Sequence, residues 1–406
     1  MTKTEIITAA FKVWGRNFYM KTSLTQLAKS LGVSKPALYR HFESKKALTS
    51  AMAEQFIDSF SESVKSDFEN ALLIPDADEG IKTIIQSITG FFARNEYALI
   101  FSIINIYEHN IDGKFLSASL KARGVNMENF HVILNKKYNT NPVIIMLVFA
   151  TLTFFMMHFH KSRNFIKEEN PSDAEIKEII LSIHDVIKNG LKFSAQKVDV
   201  LDFDAMEKRI NAVELSAEPE PLFRAVAEAV AEAGPWNTSM EMVAKKMGFS
   251  KSSLYGHFKN KKDMLRRLFI TEFKRIIEFA RNGINMSSDS VEQLYLGIYS
   301  IVVYMRSRPE ILIAISWIRT RKLDLGKPDK NHEVFRLFEE VKIKSMSNTE
   351  EDKQKISHWM LFLLINILTR PFEKDENSNK RKLTMANNDI RMLFKFITLG
   401  LGGFIR

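Results

Sequence analysis

The sequence predicts an all-α protein made of two tandem repeats, and three observations predict it. Glycine (16) and proline (10) are scarce among 406 residues, while apolar residues recur at helical spacing. A stretch of 27 residues returns, without a gap, 216 positions later. Between the copies lies Glu218-Pro219-Glu220-Pro221, a polar, helix-breaking run suited to a domain boundary.

Composition narrows the function classes. A chain of 406 residues is too long for a single ordinary core, and 45% hydrophobic residues suffice to bury more than one. The net charge of +10 suggests an anionic partner, nucleic acid or a membrane surface. With no cysteine, disulfides, thiolate metal sites and thiol redox sensing are excluded. Met1 to Gly15 lacks the apolar core of a signal peptide, so a cytoplasmic protein is expected. The longest apolar run, Val143 to Met157, falls short of the ~20 residues a membrane span needs. Lys161 and Arg163 follow it at once, and it reads as a buried interface helix.

The repeat sets the domain plan. Residues 22–48 and 238–264 share 13 of 27 positions at the offset of 216. Upstream, Ile6, Ala9 and Val13 fall on Leu222, Ala225 and Ala229. Near the ends of the halves an offset of 214 places Ile176, Ile179, Ile180, Ile183 and Ile187 on Ile390, Leu393, Phe394, Ile397 and Leu401. The expected domains are therefore a first head at 1–50, a first helical body at 51–191 and a linker at 192–221. A second head at 222–267 and a second body at 268–406 complete the chain.

Each head reads as helix, tight turn, helix. Leu24, Leu27, Ala28 and Leu31 form the buried stripe of a short helix, capped by Thr22 or Ser23 with Gln26 as the capping-box partner. Gly32 stands at the left-handed C-cap, Val33 packs inward, and Ser34 caps a second helix with Pro36 in its first turn. On that helix Leu38 and Phe42 share the core face. Pro36 and Arg40 lie opposite, with Lys35, Tyr39 and His41 on the flanks. Docked in a major groove, such a helix would turn 36 and 40 towards bases and its flanks towards phosphates. Ser44 caps a further helix whose first turn holds Lys45 and Lys46, against the helix dipole; Asn260, Lys261 and Lys262 repeat the arrangement. A phosphate bound there would make the placement favourable. Each 27-residue stretch carries a net charge of +4, so the heads hold most of the surplus.

Thr22 to Leu48, with Leu38-Tyr39-Arg40-His41-Phe42 and lysines after it, resembles the N-terminal domain of the tetracycline-repressor family, as do residues 238–264 with Leu254-Tyr255-Gly256-His257-Phe258. The resemblance covers roughly 60 residues of each half; the rest matches only in being helical with two final apolar helices. It implies DNA-binding transcriptional regulators, more often repressors. It implies DNA contacts from Thr22, Ser23, Lys35, Pro36, Ala37, Tyr39, Arg40, His41 and Lys45. In the second head these become Thr238, Ser239, Lys251, Ser252, Ser253, Tyr255, His257 and Lys261, with Gly256 at the groove. Family members carry one head per chain and pair two chains through their last two helices. Here both heads sit on one chain, which implies a single-chain pseudo-dimer. Phe18 stands where a small residue is common, whereas Gly234 keeps it.

Positions of phosphate type agree between the copies, but groove-facing positions differ: Pro36/Ser252, Ala37/Ser253, Arg40/Gly256. The two heads are expected to read different half-sites. In the bodies, Ile176, Ile180, Ile183, Ile390, Phe394 and Ile397 are the stripe expected at a seam between 142–160/173–191 and 354–370/387–404, with ordinary intradomain core as the alternative. The resemblance also implies a small effector in a body; the polar candidates are Arg94, Tyr97, Tyr107, His109, His158, Trp317 and Arg319. No cofactor is expected. His158 and His160 lack a metal-site pattern, and no glycine-rich phosphate loop or nucleophile motif supports an enzyme. A degenerate second head on a partner-binding module remains the alternative.

Overall fold

The computed structural model describes residues 2–17, 23–95, 97–99, 101–102, 114–163, 172–215, 220–256, 261–321, 336–339, 341, 343, 350–368 and 386–405. Among these, the regular elements are helices, and the one bridge pairing, Tyr138 with Ile405, stands outside any strand. The chain divides into two units, Met1–Lys188 with Phe404–Arg406, and Asn189–Gly403.

The first unit opens with α1 (Lys3–Asn17), α2 (Leu24–Ser30) and α3 (Lys35–Tyr39). The long α4 (Lys45–Leu73) then runs from head into body, where α5 (Ala77–Arg94), α6 (Lys114–Lys121) and α7 (Glu128–Asn135) pack on it. The α4 register is set by one stripe of buried residues, Leu48, Met52, Phe56, Phe60, Val64 and Phe68, each a turn from the last. Asp76 starts α5 by accepting the Asp78 amide at 2.9 Å. The helices α8 (Pro142–Arg163) and α9 (Asp173–Asn189) follow. The apolar run expected to be buried lies in α8, with Ile144, Ile145, Val148, Phe149, Leu152 and Phe155 covered and Val143 half exposed. Among the described residues no helix is long and apolar enough to cross a membrane.

The second unit begins with α10 (Ala195–Asp199) and α11 (Phe203–Asn211). Its head is α12 (Pro221–Asn237), α13 (Met240–Lys246) and α14 (Lys251–Gly256), and α15 (Lys261–Ile284) leads into the body. There α16 (Ser290–Ser307), α17 (Pro309–Arg321), α18 (Glu350–Leu368), α19 (Asn387–Leu399) and a closing 3-10 turn, Gly400–Phe404, complete it.

Burial repeats along with sequence. At the offset of 216, buried Phe56, Phe60, Ser61, Val64 and Phe68 fall on Glu272, Ile276, Ile277, Ala280 and Ile284, all of them buried too. One connection later the offset becomes 213. The helix caps Asp76 and Asp289 then correspond, and buried Ile81, Ile85, Ile88 and Phe91 fall on Leu294, Ile298, Ile301 and Tyr304. The copied unit therefore extends well beyond the head.

Residues 192–221, expected as a linker, are folded for most of their length. Phe193 and Leu191 donate backbone hydrogen bonds to Thr398 and Ile397 at 3.2 and 2.8 Å. Lys197 pairs with Asp289 at 2.7 Å and Asp199 with Lys395 at 2.9 Å. On α11, Met206, Glu207 and Ile210 are buried. The reason is an i, i+3, i+4, i+7 stripe of Phe203, Met206, Glu207 and Ile210, which looks weak in sequence because one member is an acid. The division between units accordingly falls at Lys188/Asn189 rather than at the Glu-Pro run. Gly190 makes that start possible: its φ is +56°, and a Cβ there would come within 2.5 Å of the Gly400 amide nitrogen.

The expected seam residues take two kinds of place. Ile176 packs inside the first unit with Ala93, Leu99 and Met157, and Ile180 lies against that cluster. Phe394 meets the Tyr295 ring at 5.1 Å and Phe203 at 5.9 Å inside the second. For these three the ordinary intradomain core holds, because each finds apolar partners within its own unit. Ile183, Ile390 and Ile397 are buried as well.

Candidate nucleic-acid interface

Both heads build their turn the same way. The Val33 amide donates to the Ala28 carbonyl at 3.0 Å and Gly32 to Lys29 at 3.2 Å. Phe249 donates to Ala244 at 2.9 Å and Gly248 to Lys245 at 3.1 Å. This is the Schellman closure of a helix C-terminus, and it demands a residue with positive φ. Gly32 has φ +66° and Gly248 +75°, with nothing within 4 Å of a Cβ at either place; backbone conformation, not crowding, requires glycine.

Side-chain caps fix where each short helix begins. Ser23 accepts the Gln26 amide at 3.2 Å while Gln26 accepts the Ser23 amide at 2.7 Å, the expected capping box. Ser34 caps α3 through the Ala37 amide at 3.3 Å, and Ser44 caps α4 through Ala47 at 3.0 Å. In the second head Ser239 accepts from Met242 at 3.3 Å and Ser250 from Ser253 at 3.0 Å. Ser252 also meets the Ser250 hydroxyl at 3.0 Å, so this exposed hydroxyl leans on a cap.

The helix α3 is shorter than the spacing predicts, ending at Tyr39 with Arg40 as its C-cap and Phe42 beyond it. Leu38 is fully buried and Phe42 nearly so, while Lys35, Pro36, Tyr39 and Arg40 are exposed. Tyr39 is 40% exposed, and the Lys35 ammonium lies 5.6 Å from its ring centroid, one helical turn away. Ala37, His41 and Lys45 are half buried beside them. On α14, Leu254 is buried, whereas Ser252, Ser253 and Gly256 are exposed. The backbone of α14 and α15 carries Lys251, Tyr255 and Lys261, whose side chains, with Thr22, Phe18 and His257, lie outside the described residues.

Thr238 corrects one expectation. It is 1% exposed, and its hydroxyl donates towards the Gly234 carbonyl at 2.8 Å and the Ala229 carbonyl at 3.1 Å. Gly234, with φ +76°, breaks α12 there. The side chain thus folds back onto α12 across its bend, because a buried hydroxyl must satisfy itself internally.

Two basic side chains of the heads are not legible in the sequence. Lys3 on α1 sets its ammonium 5.9 Å from the Phe42 ring centroid, at the end of α3. Lys246 pairs with Glu232 at 2.8 Å, tying α13 to α12; the hydrogen bond lowers the Glu232 carboxyl and raises the Lys246 ammonium. Lys3 and Glu232 both lie upstream of the repeated motif, so only the fold brings these contacts to light.

Three of the effector candidates are described in full. Arg94 is largely exposed on the first unit, paired with Asp173 at 3.4 Å. Tyr97 is half buried in the first unit, and Trp317 is 1% exposed in the core of the second. The Arg94 guanidinium is open to water and paired at the surface. Tyr107 and His109 lie outside the described residues, as do the side chains of His158 and Arg319.

Residues 6–52 and 222–268 each match the bacterial regulatory proteins of the tetR family, and the two matches are again 216 apart. Among solved structures, the chain is similar to a TetR family transcriptional regulator, PfmR, from Thermus thermophilus. The identity is 20%, over 45% of this chain and 95% of that one, with a TM-score of 0.34. No curated protein matches. The chain is built from two TetR-like repeats, each opening with a DNA-binding helix-turn-helix head of the tetR family.

Proposed function

We propose that the protein is a sequence-specific transcriptional regulator, acting as a repressor, that sets two heads of one chain on an operator with unlike half-sites. One observation carries the reading. The two heads share turn, caps and cationic flank, yet their exposed groove-side residues differ, Pro36 and Arg40 against Ser252 and Gly256. Arg40 can pair bidentately with guanine, worth ~1–3 kcal/mol of discrimination, and Gly256 offers no side chain to do so. A homodimer of single heads favours palindromes; two unlike heads on one chain need not.

In this reading the chain acts alone as an intramolecular pseudo-dimer, and a small effector in a helical body releases it from DNA. Support for the second head as a DNA reader comes from its intact closure at Gly248 and its +4 charge.

Selection of bound sequences from a random duplex pool, followed by footprinting, tests the proposal. An asymmetric site, with guanine preferred in one half only, is expected. A perfect palindrome with equal penalties in both halves would overturn it. A footprint one head long would favour the partner-binding alternative for the second head.

A further inference from the structure

At the junction between head and body, a cluster of rings in the first repeat gives way to a buried charged group in the second. In the first, rings run from head to body. Phe56 on α4 lies 6.3 Å from Phe91 and from Phe92 on α5, and Phe60 lies 5.2 Å from Phe91. Phe101 stands 6.2 Å from Phe56 and 5.0 Å, edge to face, from Phe11 on α1.

In the second repeat one of these ring positions carries charge, and arginines join it from positions that hold Ser59 and Asn95 in the first. At the established offsets Phe56 becomes Glu272, Phe91 becomes Tyr304 and Asn95 becomes Arg308. Phe11 and Phe101 become Ala227 and Ala314. Glu272 is 1% exposed and accepts the Tyr304 hydroxyl at 2.5 Å and Arg275 Nη1 at 3.2 Å, with Arg308 Nη1 at 3.5 Å. Arg308 is 5% exposed, lies over the Tyr304 ring at 4.4 Å and donates to its hydroxyl. The other arm of Arg275 reaches Glu220, the N-cap residue of α12, at 3.2 Å. Burial and the Glu272 partner both push the Tyr304 hydroxyl well above its usual range, so it stays a donor.

These materials respond differently to strain. Aromatic pairs hold preferred offset and edge-to-face geometries with only a modest energy beyond their buried area, so rearranging them costs less than parting buried charges. A buried carboxylate held by two arginines and a phenol has no cheap displaced state, because moving Glu272 away from the buried Arg308 would separate two charges with little access to water. We propose that Glu272, Tyr304, Arg308 and Arg275 are positioning residues that lock the second head to its body, leaving the first head as the one that moves. The second head is then a fixed anchor on DNA, and the first engages or lets go as its body changes. This rests on the reading that both heads bind DNA.

Hydrogen exchange of the full chain, without DNA, separates the lock from that reading. Amides of α12 are expected to exchange at least tenfold more slowly than those of α1. Installing the first repeat's residues, Glu272→Phe with Tyr304→Phe and Arg308→Asn, is expected to speed α12 at least tenfold. Protection of α16 and α1 stays unchanged, and binding weakens at least fivefold at the second half-site only. Equal rates in the unaltered chain, an unaffected α12, or a loss spread evenly over α12 and α16 would overturn the lock. Should the triple variant not fold, Tyr304→Phe alone is expected to speed α12 about threefold, and no change there would overturn it. A chain that exchanges as expected but binds no duplex would leave the lock standing and remove the DNA reading.

Discussion

Arg391 on α19 donates its Nε hydrogen to Glu207 on α11 at 2.7 Å, and this bond fastens the segment between the repeats to the last helix of the second. Tyr295 and Asn387 donate to the same carboxylate at 2.6 and 2.7 Å. Phe203 closes over the pair, 4.7 Å from the Tyr295 ring and 5.6 Å from the Arg391 guanidinium. A segment whose charge pattern suggests a spacer is therefore a fixed part of the fold.

Burial alone would raise the Glu207 carboxyl, but the bonds from Arg391, Tyr295 and Asn387 outweigh it and hold the group below its ordinary value of 4.5. A depressed carboxyl contributes stability that is complete above the unfolded value and is lost as pH falls through the folded one. Glu207→Gln should cost about 1.5–3 kcal/mol at pH 7, the usual worth of hydrogen bonds to a charged group. Urea unfolding at several pH values checks it: the gap to the unaltered chain narrows only below the ordinary glutamate range. A gap independent of pH would show that the charge is not what holds α11.

Gly190 and Gly32 share a positive φ but not their surroundings. Gly190→Ala should cost about 2–4 kcal/mol, because the methyl meets the Leu399–Gly400 backbone as well as the dihedral penalty. Gly32→Ala should cost only about 1–2 kcal/mol, the dihedral penalty alone. Thermal unfolding of the two variants distinguishes them, and equal losses would mean that the approach at Gly400 is not tight.

Thr238→Val keeps shape and removes the buried hydroxyl. About 1–3 kcal/mol of stability should go, leaving two carbonyls with one donor fewer. The salt slope of DNA binding should not move, since no phosphate contact is lost. A shallower slope would return Thr238 to the DNA-facing set.

Lys45→Ala should weaken binding uniformly across sequences and reduce the salt slope by about one charge. Arg40→Ala should instead relax preference at one base pair, by about 1–3 kcal/mol. Titrations at several salt concentrations on matched and mismatched duplexes separate the two; identical behaviour would refute the division into phosphate and groove faces.

The heads are legible in the sequence because their signals are local. Ser23 with Gln26, Gly32, and the Leu38/Phe42 spacing each act within a turn or two of chain, and each stands where the pattern puts it. Thr238 defeats the pattern because the motif says where the residue sits in sequence, while the bend at Gly234 decides that it points inward. The α11 strap is hidden by Glu207, whose burial depends on Arg391, 184 residues later. The unlike junctions need two offsets, 216 through α4 and 213 through α5, and the second emerges only when burial is aligned as well as identity. Effector candidates are the least legible, since polarity does not separate a surface Arg94 from a pocket-lining group.

Native mass spectrometry of the full-length chain with its selected duplex addresses the central claim directly. One chain per duplex, retained when either half-site is intact and tightest when both are, is the predicted result. Two chains per duplex, each using a single head, would contradict it.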